Sequence, residues 1–429
     1  MLSSAIKKIR GRQIIDSRGN PTVEAEVSLE SGHVGRASVP SGASTGKWEA
    51  IELRDEDPTK FHGRGVEKAV TNINQVLARE LLGLDALSQK SIDQKMIELD
   101  GTPQKGKLGA NALLAVSIAN AKAAALHSGV PLYKYLREGS VAIVLPVPLM
   151  NVINGGKHAG NELSIQEFIV IPAGFDEFPE ALRASVEIYG QLRSILRKKY
   201  GPIAINVGDE GGFAPPMKFT SEALDVLVQA IDESGYDCQS EVVLGLDCAS
   251  GSFFNEKDNR YHIDQRILAG PDLMDYYGQL LKSYNLRSIE DPFCEDDPDN
   301  FALFTGKHRN VQIIGDDIFV TNKKRLEAGI SRGIANTLLF KVNQIGTLTE
   351  AFETMSLALQ NRYRVVVSHR SGETEDDYIA DIAVGKATGQ IKTGAPARGE
   401  RTAKYNRLLR IYDHEKEKAT YPGEALFIV

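Results

Sequence analysis

Apolar and polar residues alternate over Val23, Ala25, Val27 and Leu29, the period of a strand with one buried face. Ser31-Gly32 then supplies a turn, and residues 34–39 read as the returning strand. The spacing changes to that of a helix at Val66, Val70, Ile73 and Leu77, with a stop at Gly83. Residues 110–127 are alanine-rich and contain no breaker, which predicts a second helix. Strands followed by helices indicate an α+β domain. Its end is expected near residues 137–141, before a proline-rich strand.

Beyond that point, short apolar runs stop abruptly at charged residues. Residues 144–150 and 164–171 are close enough to form a hairpin. A long helical region covers 178–200, followed by a glycine-rich loop and another helix from Ser221. The rhythm then becomes regular, with apolar runs at 241–246, 286–289, 311–314, 337–340, 364–367 and 390–391. Helical patterns such as 348–360 separate them. Eight candidate strands, six of them in βα alternation, predict an α/β chain built on an irregular eight-stranded β/α barrel. The domains are assigned as 1–138, an N-terminal α+β unit, and 139–429, the barrel.

Length and composition agree with this division. The 429 residues accommodate a barrel, which takes roughly 250, and one smaller domain. A hydrophobic content of 42% and a charged content of 25% are those of a globular chain with a sizeable core. The net charge of −7 argues against a general nucleic-acid binder and suits a carboxylate-lined cation site. Cys238, Cys248 and Cys294 have no metal-ligand or redox spacing, which fits a reducing compartment. The first eight residues lack the apolar core of a signal peptide, and the apolar stretch 141–150 carries two prolines. A cytoplasmic chain without a membrane span is therefore expected.

Candidate chemistry lies where the apolar runs end. The third run is followed by Asp247, the fourth by Glu290 and the fifth by Asp316. The sixth is followed by Lys341, the seventh by His369 and Arg370, the eighth by Lys392. In a parallel β/α barrel the C-terminal strand ends meet at one mouth. Any one charge at a strand end is ordinary loop polarity. Three carboxylates in succession, then two bases and a His-Arg pair, point to a site. A divalent cation relieves the repulsion, and an all-oxygen set favours Mg²⁺ over zinc.

Lys341 follows Leu338-Leu339-Phe340 and is expected in a partly dry place, where burial and cations depress its pKa. It reads as a general base, or equally as a structural salt bridge to one of the carboxylates. Glu210, in Gly208-Asp209-Glu210-Gly211-Gly212, reads as an acid if its pKa is raised, with Glu167 as like-charge neighbour. The segments 41–46 and 154–160 have the glycine-rich composition of mobile loops. The first is one residue short of a Walker A loop and is not read as one. Arg370 and Ser371 offer a fork and a hydroxyl for an anion.

These stretches together resemble the enolase family, the phosphopyruvate hydratases of glycolysis. The resemblance runs from residues 15–24 through 41–46, 154–168, 208–215, 288–293, 338–347 and 368–376 to 391–394. It implies a capping domain before a barrel whose second strand is antiparallel. It also implies dehydration of 2-phospho-D-glycerate to phosphoenolpyruvate with two Mg²⁺ per active site. Asp247, Glu290 and Asp316 match the ligands of the first ion, and Ser41 matches a residue that helps hold the second. Lys341 matches the base, Glu210 supported by Glu167 the acid. His158, Gln166, His369, Arg370, Ser371 and Lys392 match substrate contacts, with Arg370 and Ser371 on the phosphate. The implied partners are a phosphorylated small molecule and further copies of the chain, as a dimer or an octamer built from dimers.

Two other readings compete with this one. Racemases and cycloisomerases of the same superfamily typically carry Lys-x-Lys on the second barrel strand, where this chain has Gln166-Glu167. A purely non-catalytic role would be favoured by loss of Lys341, Glu210 or a metal ligand, and all are present. Departures from the family pattern are Phe340, Trp48 and Cys294, none at a matched catalytic position.

Overall fold

The alternation at Val23–Leu29 belongs to the middle strand of a three-stranded antiparallel sheet, Ile6–Ile15, Pro21–Leu29 and Val34–Ser38. A computed structural model describes residues 3–42, 46–137, 139 and 142–427. Val23, Ala25, Val27 and Leu29 are buried, while Glu24, Glu26 and Ser28 on the other face are not fully so. The buried face packs on the helix Ala110–His127, which is buried nearly all round. Its alanines permit that close approach. At Gly35 of the third strand a Cβ would stand 2.1 Å from the Ala119 carbonyl oxygen, so only glycine fits there.

The first strand, Ile6–Ile15, was not singled out from sequence because only Ile6, Ile9 and Gly11 are buried along it. Its register also shifts between Ile6 and Lys8. The helical spacing at 66–77 corresponds to Glu67–Leu81, with a π-helical turn over Ile73–Leu77. The expected domain boundary at 137–141 includes Glu138, Ser140 and Val141, which lie outside the described residues, as do Ala43, Ser44 and Thr45 of the 41–46 loop.

Eight strands then close a barrel in the order Val147–Asn154, Glu167–Ile171, Val243–Asp247, Leu286–Glu290, Gln312–Gly315, Thr337–Phe340, Arg364–Ser368 and Gly389–Lys392. The eighth pairs back to the first, with Gln390 opposite Val147. The second strand is antiparallel to both neighbours, and every other pair is parallel. This is the barrel expected from sequence, hairpin opening included. One consequence governs the site: the second strand begins, rather than ends, at the mouth. Glu167 is therefore in register with Asp247 of the third strand.

The barrel interior is filled by Val147, Leu149, Ile169, Ile171, Val243, Ile314, Leu339 and Val366. Apolar residues fill the floor and charged ones follow at the open ends, so the barrel is a packed core with its chemistry at one rim. The helix Phe178–Tyr200 forms as expected, and the next, Thr220–Glu233, starts one residue before Ser221. Two features went unread in the sequence. A small antiparallel meander, Phe254–Asn255, Arg260–Ile263 and Arg266–Leu268, follows the third strand. Ile143–Val144 pairs in parallel with Ala419–Thr420, so the first barrel strand begins only at Val147 and runs on to Asn154. Among the described residues, no helix is long and apolar enough to cross a membrane.

Candidate active site

The strand ends deliver their charges to one small cavity. His158, Gln166, Glu167, Glu210, Asp247, Asp316, Lys341, His369, Arg370, Ser371 and Lys392 line it, together with Gly42 of the N-terminal domain. Of the residues expected here, Glu290 and Ser41 do not line it. Glu290 lies beneath, fully buried. The Ser41 hydroxyl donates to Glu52 (2.9 Å) and accepts from Arg54 (3.1 Å). The Ser41 backbone exchanges two hydrogen bonds with Gly372, at 2.7 and 2.8 Å.

Lys392, ending the eighth strand, donates to Glu290 Oε2 at 2.7 Å and to Asp247 Oδ2 at 2.9 Å, and lies 3.2 Å from Glu167 Oε2. Lys341 Nζ lies 2.5 Å from Asp316 Oδ2, and the Gln344 amide donates to Asp316 Oδ1 at 2.9 Å. Asp291, which sequence reasoning left without a role, accepts the backbone N–H groups of Asp316 (2.9 Å) and Asp317 (2.8 Å) and so fixes the turn that aims Asp316.

Opposite these groups stands an acid pair. The sixth and second strands are four places apart in the closed order, so Lys341 and Glu167 face each other across the barrel. His158 Nδ1 lies 3.7 Å from both Glu167 Oε1 and Glu210 Oε1. Asn151 donates to Glu210 Oε2 at 3.0 Å, and His369 Nε2 is 3.5 Å from the same oxygen. Arg401, from the helix Gly399–Glu415, donates to His369 Nδ1 at 2.6 Å, which places the hydrogen of a neutral ring on Nε2, facing Glu210. The same guanidinium donates to the carbonyls of Asp209, Arg370 and Ser371 at 2.6–2.9 Å, binding the two loops together.

Arg370 is held by a residue that sequence reasoning missed. Its Nη1 and Nη2 donate to Glu49 Oε2 (2.9 Å) and Oε1 (3.1 Å), and Nη1 also donates to Asn343 Oδ1 (3.1 Å). Gly42 lies so close that a Cβ there would be 2.0 Å from Arg370 Nη2.

Comparison with known proteins decides the family. Residues 6–136 match the family model "Enolase, N-terminal domain", and residues 142–428 match "Enolase, C-terminal TIM barrel domain". An enolase of Methanopyrus kandleri is 58% identical over 407 residues, covering 95% of each chain. Enolases of Methanocaldococcus jannaschii and Methanosarcina barkeri are 55% and 56% identical, over 97% of this chain and 97% and 96% of theirs. The chain belongs to the enolase family.

Two electrostatic expectations for this enolase-family site are corrected by the structure. Burial is the largest influence on Lys341 and acts downward, but the Asp316 and Glu290 carboxylates together offset it, and the ammonium titrates above the usual lysine value instead of near neutrality. The second concerns the acids. Burial, reinforced by Glu210, drives the Glu167 carboxyl well above the usual range. At Glu210 burial also acts upward, yet His369, His158 and Arg401 hold that carboxyl well below the usual range. His369 is itself pushed down to about 3, chiefly by burial, so near neutrality it is uncharged. Of the two, Glu167 is the member driven upward.

Carboxylates outnumber cations at this mouth, and burial followed by Asp247 drives Glu290 well above its usual range. Oxygens of Asp247 and Glu290 converge on one ammonium and Asp316 on another, so lysine nitrogens stand where cations are called for. Among the described residues, His158–Glu167–Glu210 and Asp291–Asp316–Asp317 bring three ligating atoms close together; the trio Asp247, Glu290 and Asp316 is not drawn into one such group. The carboxylates Asp247, Glu290 and Asp316 offer only oxygen, are buried and are over-supplied with negative charge, which suits a hard divalent cation.

Proposed function

We propose that this chain, a lyase by its family, reversibly dehydrates 2-phospho-D-glycerate to phosphoenolpyruvate, with Lys341 as the base and the Glu210–Glu167 pair as the acid. The observation that carries the reading is the placement of Lys341 and the acid pair on opposite sides of one carboxylate-rich barrel mouth. Elimination across a C2–C3 bond needs a base at one face and an acid at the departing hydroxyl on the other.

Asp247, Glu290 and Asp316 would hold a first Mg²⁺, and Ser41 would help hold a second. Bound there, the ions stabilise the charge that develops on the substrate carboxylate. Arg370 and Ser371 take the phosphate, while His158, Gln166, His369 and Lys392 contact the rest of the substrate. Lys341 is protonated while it pairs with Asp316. It becomes competent to accept the C2 proton when Asp316 is committed elsewhere, because burial alone acts downward on its pKa. The pair Glu167–Glu210 keeps one proton in a buried place beside His158, ready for the leaving hydroxyl.

The reading also includes a domain division at 138/139, a homo-oligomer (a dimer, or an octamer built from dimers) and a cytoplasmic location. Light scattering on a gel-filtration column distinguishes the oligomers. The reaction itself is tested with purified protein and 2-phosphoglycerate, following phosphoenolpyruvate by ultraviolet absorbance with Mg²⁺ and with chelator. Metal-dependent turnover is expected, and inert, folded, Mg²⁺-replete protein would overturn the proposal.

A further inference from the structure

The loop that begins at Ser41 stands with both feet on the segment Arg370–Gly372. Its first foot is the pair of backbone hydrogen bonds between Ser41 and Gly372. Its second is Glu49. The Glu49 Oε1 atom accepts the Gly46 backbone N–H at 2.9 Å and Arg370 Nη2 at 3.1 Å, while Oε2 accepts Arg370 Nη1 at 2.9 Å. The Glu49 N–H in turn donates to the Gly46 carbonyl at 3.0 Å. Both side chains are buried, with 3% of Arg370 and 6% of Glu49 exposed.

A buried guanidinium with a long, flexible stem is useful for phosphate recognition only if its plane is set beforehand. A two-point carboxylate contact sets that plane, because both Nη atoms are fixed at once. Asn343 Oδ1 holds a further Nη1 hydrogen at 3.1 Å, and the Arg370 backbone N–H donates to Glu373 Oε1 at 3.3 Å. The contacts of Glu49 and Asn343 restrain rotation about the long axis of the side chain, and the Glu373 contact fixes the backbone from which it starts. The sharing of Oε1 between Gly46 and Arg370 adds a second effect: the far end of the 41–46 loop is tied to the phosphate-gripping residue through a single atom.

We propose that Glu49 is the positioning residue for phosphate recognition, orienting Arg370 and anchoring Gly46 to it. This rests on the reading of Arg370 as the phosphate contact. Glu49 touches no reacting atom, so its loss is expected in binding rather than in chemistry.

The test compares wild type, Glu49→Gln and Glu49→Asp by steady-state kinetics with 2-phosphoglycerate and by competitive inhibition with inorganic phosphate. Glu49→Gln turns one acceptor of the fork into a donor facing a donor. Its KM and its inhibition constant for phosphate are expected to rise together by about tenfold, the scale of one charge-assisted hydrogen bond. Its kcat is expected to change by less than about threefold. Glu49→Asp keeps the charge but is too short to hold Gly46 and Arg370 together, and is expected to recover only part of the loss. Unchanged or tighter phosphate inhibition in a folded Glu49→Gln protein would overturn the proposal, since a carboxylate that merely competed with phosphate gives that sign. Should Glu49→Gln fail to fold, Asn343→Ala removes a restraint on the same Nη1 without unpairing a charge. A smaller rise in the phosphate inhibition constant supports the proposal, and no rise overturns it. Absence of wild-type turnover would instead remove the reaction reading itself.

Discussion

The Lys341 ammonium and the Asp316 carboxylate lie 2.5 Å apart, and this pair sets the resting state of the site. Burial lowers the pKa of the lysine, the Asp316 charge raises it, and the balance leaves it above the ordinary value. Asp316 is held below its ordinary value: burial acts most strongly and upward, but Lys341, Arg370 and the Gln344 amide together outweigh it. The salt bridge and the base are therefore one arrangement in two states, not rival explanations of one residue.

Lys341→Ala is expected to cut turnover of 2-phosphoglycerate by about a thousandfold or more, within the range of a lost general base. Far-ultraviolet circular dichroism should show an intact fold, because the strand Thr337–Phe340 ends before the substituted residue. Substantial activity in the folded variant would take the base role from Lys341.

A cation that relieves the crowding of carboxylates should stabilise the folded chain by mass action. Added Mg²⁺ is expected to raise the melting temperature, and chelator to reverse the rise. In Glu290→Gln the rise should be much smaller, because a buried, charge-repelled ligand is gone. A rise of equal size in wild type and variant would place the stabilising cation elsewhere.

Asp93 offers a pH test away from the chemistry. Its Oδ2 accepts the Thr349 backbone N–H (3.0 Å) and hydroxyl (2.6 Å), joining the helix Gln89–Asp100 of the N-terminal unit to the start of Leu348–Gln360 beside the barrel. Burial pushes its carboxyl up from 3.8 to about 6. The folded state then binds the proton more tightly than the unfolded state. The resulting stability is full below about pH 4 and is lost as pH rises through about 6. Relative to Asp93→Asn, wild type should lose about 2 kcal/mol between pH 4 and pH 7. Denaturant melts of both proteins at the two pH values measure the gap, and a constant gap would contradict the account.

Much of this architecture was legible in the chain because apolar runs in a β/α barrel stop where the strand reaches the rim. Asp247, Glu290 and Lys392 close their strands, and Asp316, Lys341 and His369 follow theirs by one residue. The hairpin that reverses the second strand was visible as two apolar runs too close for a crossover. The residues that escaped are those whose roles depend on distant partners. Arg401 lies in a helix rich in ordinary charges, and only the fold buries it against His369. Glu49 meets Arg370 across 321 positions of sequence. The direction of titration at Lys341 and Glu210 differs from expectation for the same reason: local sequence does not show the carboxylates that answer Lys341 or the His369, His158 and Arg401 groups that answer Glu210. The meander 254–268 escaped because strands of two to four residues are too short to show a period.

The division of labour between base and acid is the central claim, and hydrogen exchange at C2 tests it most directly. 2-Phosphoglycerate is incubated in deuterium oxide with Mg²⁺ and each protein, and the C2 proton is followed by nuclear magnetic resonance alongside phosphoenolpyruvate formation. Glu210→Gln removes a carboxylate of the acid pair while leaving Lys341 and its partner Asp316 untouched. The account predicts that Glu210→Gln exchanges the C2 proton while forming little product, and that Lys341→Ala does neither. Exchange that persists in Lys341→Ala and disappears in Glu210→Gln would contradict it, because the base would then lie with the acid pair on the second-strand side of the barrel.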